Sequence, residues 1–205
     1  TCAGRTDRGV HALGQVVSFD VPDGTDLERL ARSVNAQCGR AVAVADLMVA
    51  AENFDARFSA TGRTYQYRIL NRYDPNPLLA DRSWHIPQPL DVEAMIEAGR
   101  CLLGVHDFTS FCRRPRTGRA TEPSLVRRVE SLSLAGPDVE GVLVLEITAR
   151  SFCHQMVRSI VGTLVAVGQG RRSAAEIPAV IAAGDRQAAA SPAPPYGLIL
   201  WSVQY

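Results

Sequence analysis

Lysine is missing from this chain: all 22 basic residues among its 205 are arginine. With no lysine there is no Schiff-base residue, which excludes pyridoxal-phosphate chemistry of the usual kind. A Walker-type phosphate loop, which needs its lysine, is excluded as well. What remains is a population of planar, permanently charged forks suited to phosphate and carboxylate. The five cysteines (Cys2, Cys38, Cys101, Cys112, Cys153) are widely spaced and include no C-x-x-C pair. A zinc framework is therefore not expected, and free thiols in a reducing cytoplasm are the simpler reading. No apolar run reaches the roughly 18 residues of a membrane span. The best, Ser159 to Val167, is interrupted by Gly162 and Thr163. No signal peptide is visible. The first residue is Thr, and a motif begins almost at once, so a segment ahead of Thr1 is expected.

What is present fits an ordinary globular protein: 46% hydrophobic, 21% charged, net charge +1. Global disorder is excluded by that balance. The length suits one large domain or two small ones. Gln15 to Val21 alternates, with Val17, Phe19 and Val21 on one face, and reads as a strand. Thr25 and Glu28 have capping-box spacing ahead of a helical stripe, Leu27, Leu30, Ala31, Val34 and Cys38, which Gly39 ends. Val42 to Ala50 reads as a largely buried strand. Thr64 to Leu70 alternates, with Tyr65, Tyr67 and Ile69 sharing a face.

A helix is expected over Asp91 to Leu103, with Val92, Met95, Ile96, Gly99, Leu102 and Leu103 inward. Strands Val126 to Leu134 and Val142 to Ala149 follow, joined as a hairpin. An apolar helix over Cys153 to Val167, a short one over Ser173 to Ala183 and a closing strand Leu198 to Tyr205 complete the chain. Hairpin-compatible strands with few helices argue an α+β fold on an antiparallel sheet. The expected domain boundary lies near Asn53 to Ser59, which divides residues 1–54 from 55–205.

Three segments could carry chemistry. In Gly4-Arg5-Thr6-Asp7-Arg8-Gly9-Val10-His11-Ala12, glycines flank an aspartate set between two arginines. Neighbouring cations favour the ionised carboxylate, which suits a nucleophile and does not suit a general acid. An Asx turn before Gly9 is the plainer reading of the same residues. Second, Tyr65 lies close to the expected boundary, where a cleft would form and an aromatic ring could stack on a base; Tyr67 reads as core. Third, the helix after Ser151 is apolar or small nearly all round and carries one arginine, Arg158, at the edge of its stripe. A buried guanidinium needs a partner, and a carboxylate is the natural one; a snorkelling arginine is the equal alternative. Six arginines and one acid between Arg113 and Arg128 give a local net of +5, either a solvated loop or an arm that grips phosphate. His106-Asp107 lacks the further ligands of a metal site, and no G-x-S-x-G elbow accompanies it, so its reading is structural. Cys153-His154 is set aside as a thiol dyad because helical neighbours point apart.

Taken in order, the stretches GRTDRGVHA (from Gly4), FDARFSATGRTYQYRI (from Phe54), GVHDFTSF (from Gly104), SFCHQMVRSIVGTLVAVGQGR (from Ser151) and APPYGLILWSVQY (from Ala193) resemble the tRNA pseudouridine synthase A family. The resemblance runs the length of the chain. It implies a pseudouridine synthase fold of two sub-domains, each a mostly antiparallel sheet flanked by helices, with the active-site cleft between them. It implies that Asp7 is the nucleophile, that Tyr65 stacks on the target base, that Arg158 pairs with Asp7 and that Arg5 helps flip the base. Thr6, Arg8, Gly9, His11, Arg57, Arg63, Arg113 and Arg114 are implied contacts to the substrate. The implied reaction converts uridine to pseudouridine in the tRNA anticodon stem-loop, at positions 38 to 40, in the cytoplasm, by a homodimer without cofactor or metal. The Tyr65 hydroxyl is a candidate base for the C5 proton. Cys153 and Gln155 depart from the usual leucine and histidine or tyrosine of the family's helix motif, and Ser191-Pro192 stands where Pro-Thr is more familiar. The family's first strand and glycine-rich loop would precede Thr1, which leaves 1–54 an incomplete sub-domain. A non-catalytic RNA-binding remnant is the alternative reading.

Overall fold

A computed structural model describes residues 1–113 and 123–205. Of the arginine-rich stretch, Arg114, Arg116 and Arg119 lie outside the described residues. The strands are β1 (His11–Ala12), β2 (Gly62–Leu70), β3 (Trp84–His85), β4 (Gly104–Asp107), β5 (Val126–Ala135), β6 (Val142–Ala149) and β7 (Leu198–Gln204). The helices are α1 (Leu27–Cys38), α2 (Val92–Arg100), α3 (Met156–Gly168) and α4 (Ile177–Ala182). The fold is α+β on one mixed sheet in the order β1-β7-β2-β6-β5-β4, with β3 on β2. The centre is antiparallel, while β1–β7 and β2–β3 are parallel. β7 pairs with β2 from Gly62 to Tyr67, and β3 takes over the same edge at Ile69 and Leu70. No helix among the described residues is long and apolar enough to cross a membrane.

The core lies where the sequence is most apolar. Every residue of α3 except Arg158 is buried. Tyr67, Ile69, Leu143, Leu145 and Ile147 meet it from the sheet. Each fully buried aliphatic side chain contributes about 1.5–3 kcal/mol, which makes this layer the main source of stability. α2 packs beside α3 through Met95, Ala98 and Leu102; an added Cβ at Gly168 would press into Met95 Sδ at 2.6 Å. Leu103, expected inward, is half exposed, because α2 ends at Arg100 and the chain turns out through Gly104 at φ +92°.

Residues 1–54 depart most from the expectations. The segment Gln15 to Val21 forms only an isolated bridge, Cys2 with Val17, and Val17, Phe19 and Val21 are exposed. Val42 to Ala50 forms no strand and is mostly exposed. Alternation marks a strand only where a neighbouring strand takes up its hydrogen bonds. Among the described residues, the first segment pairs only with Thr1 to Ala3, through Val16 and Ser18, and the second pairs with no strand. Instead Asn35 on α1 ties the second segment down, accepting from Val44 N at 2.6 Å and donating to Val44 O at 2.9 Å. α1 itself buries no residue. Its cap is Asp26, which accepts from Arg29 N at 2.9 Å; Thr25, the expected cap, donates to Pro22 O instead.

The boundary loop is firmly held. Asp55 Oδ1 accepts from Arg57 N at 2.7 Å and Phe58 N at 2.8 Å. These bonds, Phe58 foremost, hold its carboxyl below the ordinary range. Tyr205 donates to Ala56 O at 2.8 Å and packs on Phe54, so the end of β7 is pinned to this loop.

α3 begins three residues later than periodicity suggests, because Gln155 sits in the left-handed region at φ 64°. Its closest backbone approach is at Gly162, where a Cβ would run into the carbonyl oxygen of Ser191. That segment continues to Ala193, whose N donates to Arg158 O at 2.9 Å. Gly162→Ala is expected to cost about 1–3 kcal/mol by overpacking. In thermal unfolding Tm should fall by about 2–12 °C. An unchanged Tm would mean the segment yields freely.

Candidate active site

Gly4 to Val10 folds as a loop against the β2–β7 edge. Val10 N donates to Asp7 O at 3.0 Å, closing a turn whose third residue, Gly9, has φ +86°. Gly9 is needed there because side chains rarely adopt that conformation, and a Cβ would also meet Pro195 at 3.2 Å. Gln15 braces the loop from the other side, donating to Gly4 O at 2.7 Å. The turn aims Asp7 at the start of α3. There Arg158 Nη1 donates to Asp7 Oδ2 at 2.9 Å, across 151 positions of sequence. Arg158 is itself fixed by donating from Nε to Ala193 O at 2.7 Å. Of the two readings of this arginine, the paired one describes the structure: its side chain is 15% exposed and turned to Asp7.

Asp7 has a second partner. His154 Nε2 lies 3.1 Å from Asp7 Oδ1, so the imidazole N–H donates to the oxygen that Arg158 leaves free. The sequence reading treated His154 only as half of a discarded thiol dyad. A signal was available: His154 and Arg158 are four residues apart, the spacing that shares a helical face. The reason given against the dyad also needs correcting. Cys153 and His154 precede the helix, and they diverge because the Cys153 thiol turns toward Leu125 O while His154 turns toward Asp7. The Cys153 thiol also receives a hydrogen bond from buried Cys112, which lowers Cys153 and raises Cys112 from their ordinary values.

Asp7 opens into a cleft of about 1090 Å³. Tyr65 forms one wall, with Phe152 set edge-on to its ring at 5.2 Å between centroids and 90° between planes. The β2–β7 register shifts between Thr64 and Tyr65, so Trp201 of β7 is left unpaired beside Tyr65. Such bulges re-aim side chains beside functional sites. Burial raises the Tyr65 hydroxyl above its ordinary 10.0; Arg63 opposes the shift and Asp7 adds to it. At neutral pH the group is therefore a neutral phenol.

The cleft is strongly cationic. Among the described residues, Arg5, Arg57, Arg63, Arg127, Arg150 and Arg158 line it, against a single acid, Asp7. Thr6 lines it too. Arg8 and Gly9 lie on the turn outside it, His11 hydrogen-bonds to Asp81 O at 2.7 Å away from the cleft, and Arg113 engages His154 O through its backbone N. Arg150 was not anticipated; it ends β6 directly beside the site. Arg63 differs from the rest in being buried with its guanidinium committed. It donates to Arg150 O at 2.6 Å, Arg57 O at 2.8 Å and Ala3 O at 3.0 Å, and more loosely to Ala60 O. Its fork thus ties the N-terminal loop, the boundary loop and the end of β6 into one wall. His106 and Asp107 are structural, Asp107 accepting from Thr109 N and Oγ1.

Removing the Arg63 fork leaves several carbonyls without donors. Arg63→Ala is expected to lose about 3 kcal/mol, since hydrogen bonds from charged groups are worth about 1.5–3 kcal/mol each and part is recovered by water. Urea unfolding is the measurement. A variant as stable as the parent, but with weakened RNA affinity, would instead assign Arg63 to substrate.

Comparison with known proteins gives one answer. A family profile described as tRNA pseudouridine synthase matches residues 98–205. A tRNA pseudouridine synthase A of Frankia casuarinae is 47% identical over all of this chain and 73% of its own length. The protein of that name from Mesorhizobium japonicum is 44% identical over 99% of this chain and 81% of its own. The one from a Geobacillus strain is 39% identical over 100% and 80%. A solved Cbf5-Nop10-Gar1 complex overlaps 53% of this chain and 27% of its own at 12% identity and a TM-score of 0.30, a likeness too slight to argue from. Identity of this order across the whole chain, motif loops included, places the chain in the tRNA pseudouridine synthase A family of isomerases.

Proposed function

We propose that this protein isomerises uridine to pseudouridine in the anticodon stem-loop of tRNA, at positions 38 to 40, with Asp7 as the nucleophile. The observation that carries the reading is the placement of Asp7: ionisable, 27% exposed, held by Arg158 and facing a cationic cleft beside an aromatic ring. A nucleophilic carboxylate needs all three conditions: access, a fixed direction and a neighbour that favours its charged form.

The chemistry asks little else of the protein. Net change is one glycosidic bond for another: C1′–N1 breaks with its electron pair going to N1, and C5 supplies the pair for the new bond to C1′. C5 loses a proton and N1 gains one, so the electron count is unchanged and no redox cofactor is called for. Attack by the Asp7 carboxylate, at C1′ of the ribose or C6 of the base, frees the ring to turn. The carboxylate expelled as the C1′–C5 bond forms stands beside the C5 proton and is the natural acceptor for it. Tyr65 holds the loose base by stacking, with Phe152 bracing the ring from its edge. The phenol's raised value fits that role of ring and donor.

A uridine within a helical stem must first leave its stack, which costs a few kcal/mol. Arg5, at the mouth beside Asp7, is placed to fill the space the base vacates. Arg57 and Arg150 are exposed and can meet phosphates around it, each contact adding to a salt-dependent affinity, whereas Arg127 donates to Ser124 O and Val126 O. Residues 1–54 supply the loop that carries Asp7, and 55–205 the sheet and helix that carry Tyr65 and Arg158, so the site falls between two sub-domains. The exposed apolar side chains Val42, Met48 and Val49 on the α1 side support a homodimer. A cytoplasmic location follows from the substrate.

Tritium release from tRNA labelled at C5 of uridine tests the reading. The parent chain should release tritium, and Asp7→Ala should release none while still binding tRNA. Equal release from both would remove Asp7 from the mechanism; binding without release by either would favour a non-catalytic RNA-binding protein.

A further inference from the structure

We infer that His154 is a positioning residue for the reaction: it fixes the plane of the Asp7 carboxylate and so selects Oδ1 as the attacking oxygen. The inference rests on the proposed role of Asp7 as nucleophile.

The two carboxylate oxygens are not equivalent. Oδ2 is held from the protein side by Arg158, whose side chain is 15% exposed and is locked in turn to Ala193 O. An oxygen in that position faces the fold. Oδ1 is held from the cleft side by His154, 46% exposed and lining the cavity. An ionised carboxylate oxygen has two lone-pair directions, so a single donor on Oδ1 leaves one of them open toward the cleft. With only Arg158 in place, the carboxylate could still swing about its Cβ–Cγ bond, a broad and weakly restrained torsion. Two donors on two oxygens remove that freedom. Orientation of this kind acts on the reacting geometry rather than on substrate affinity.

The backbone shows that His154 is itself held in place. Its carbonyl accepts from Arg113 N at 2.9 Å, and the next residue, Gln155, adopts the left-handed conformation that separates His154 from the regular helix. Without that break His154 would lie in the first turn of α3. With it, the imidazole projects over the N-terminal end of the helix onto Asp7. The hydrogen bond requires the tautomer, or the protonated form, that carries hydrogen on Nε2. Glutamine can present its amide nitrogen at nearly the same place, and alanine cannot.

Single-turnover and steady-state tritium release with His154→Ala and His154→Gln, alongside Asp7→Ala, test the inference. His154→Ala should lower kcat about tenfold or more with KM for tRNA within about twofold, as expected when an interaction acts on orientation. His154→Gln should recover most of that loss. If His154→Ala instead raises KM and spares kcat, His154 contacts the RNA and the positioning role is wrong. If Gln is as slow as Ala, donation to Oδ1 is not what matters, and the inference again fails. If Asp7→Ala remains active, the nucleophile reading has failed first, an outcome the other variants cannot imitate. Circular dichroism melts of both variants identify any loss that comes from unfolding.

Discussion

The contact between Asp7 and Arg158 joins the beginning of the chain to its last long helix, and the functional geometry depends on it. Residues 1–10 add no regular strand to the centre of the sheet and bury little surface. They are positioned by a few polar bonds: the Gln15 brace, the Arg63 fork and the two donors on Asp7. A charged pair that is only partly buried avoids most of the desolvation penalty of a deep one, and its benefit is direction more than stability. The apolar core beneath α3 makes that direction reliable. Arg158 is the only residue of that helix that is not buried, and its backbone is set by the packing of all the others.

The cleft combines two electrostatic elements with separate tasks. Among the described residues, one acid stands among six arginines, so the cleft favours a polyanion while holding a single carboxylate at its wall. The chain as a whole is nearly neutral, so this is a matter of placement. Arg63 and Arg158 are spent on carbonyls and on Asp7, whereas Arg5, Arg57 and Arg150 remain turned to the cavity. The planar fork of Arg63 fastens three chain segments at once, through Ala3 O, Arg57 O and Arg150 O.

The sequence was most informative where periodicity and burial coincide. β2, β5, β6, β7, α2 and α3 are all legible because alternating or helical apolar residues there do face a core. Arg158 was legible for the opposite reason, a charge on a helix otherwise apolar. Reading failed where the same patterns lack a partner. Val17, Phe19 and Val21 alternate as a strand would, yet meet no sheet; Val42 to Ala50 is apolar enough for a core strand, yet lies exposed. Single-residue backbone events were also invisible. Gln155 in the left-handed region moved the start of α3, and with it turned His154 onto Asp7. The bulge at Trp201 beside Tyr65 leaves no mark in a composition or a hydropathy pattern. Nor does the commitment of Arg63 to backbone carbonyls, which separates it from the exposed arginines of the cleft.

The central claim is that Asp7 and Arg158 act as one unit. A double-mutant cycle in thermal or denaturant unfolding measures that directly, with Asp7→Asn, Arg158→Met and the two combined. Residues in one ion-pair network show interaction energies of about 0.5–3 kcal/mol. A coupling within that range is expected, the double variant being less destabilised than the two single losses together. Additivity to within about 0.3–0.5 kcal/mol would contradict the account, because two independent side chains do not hold one another in place.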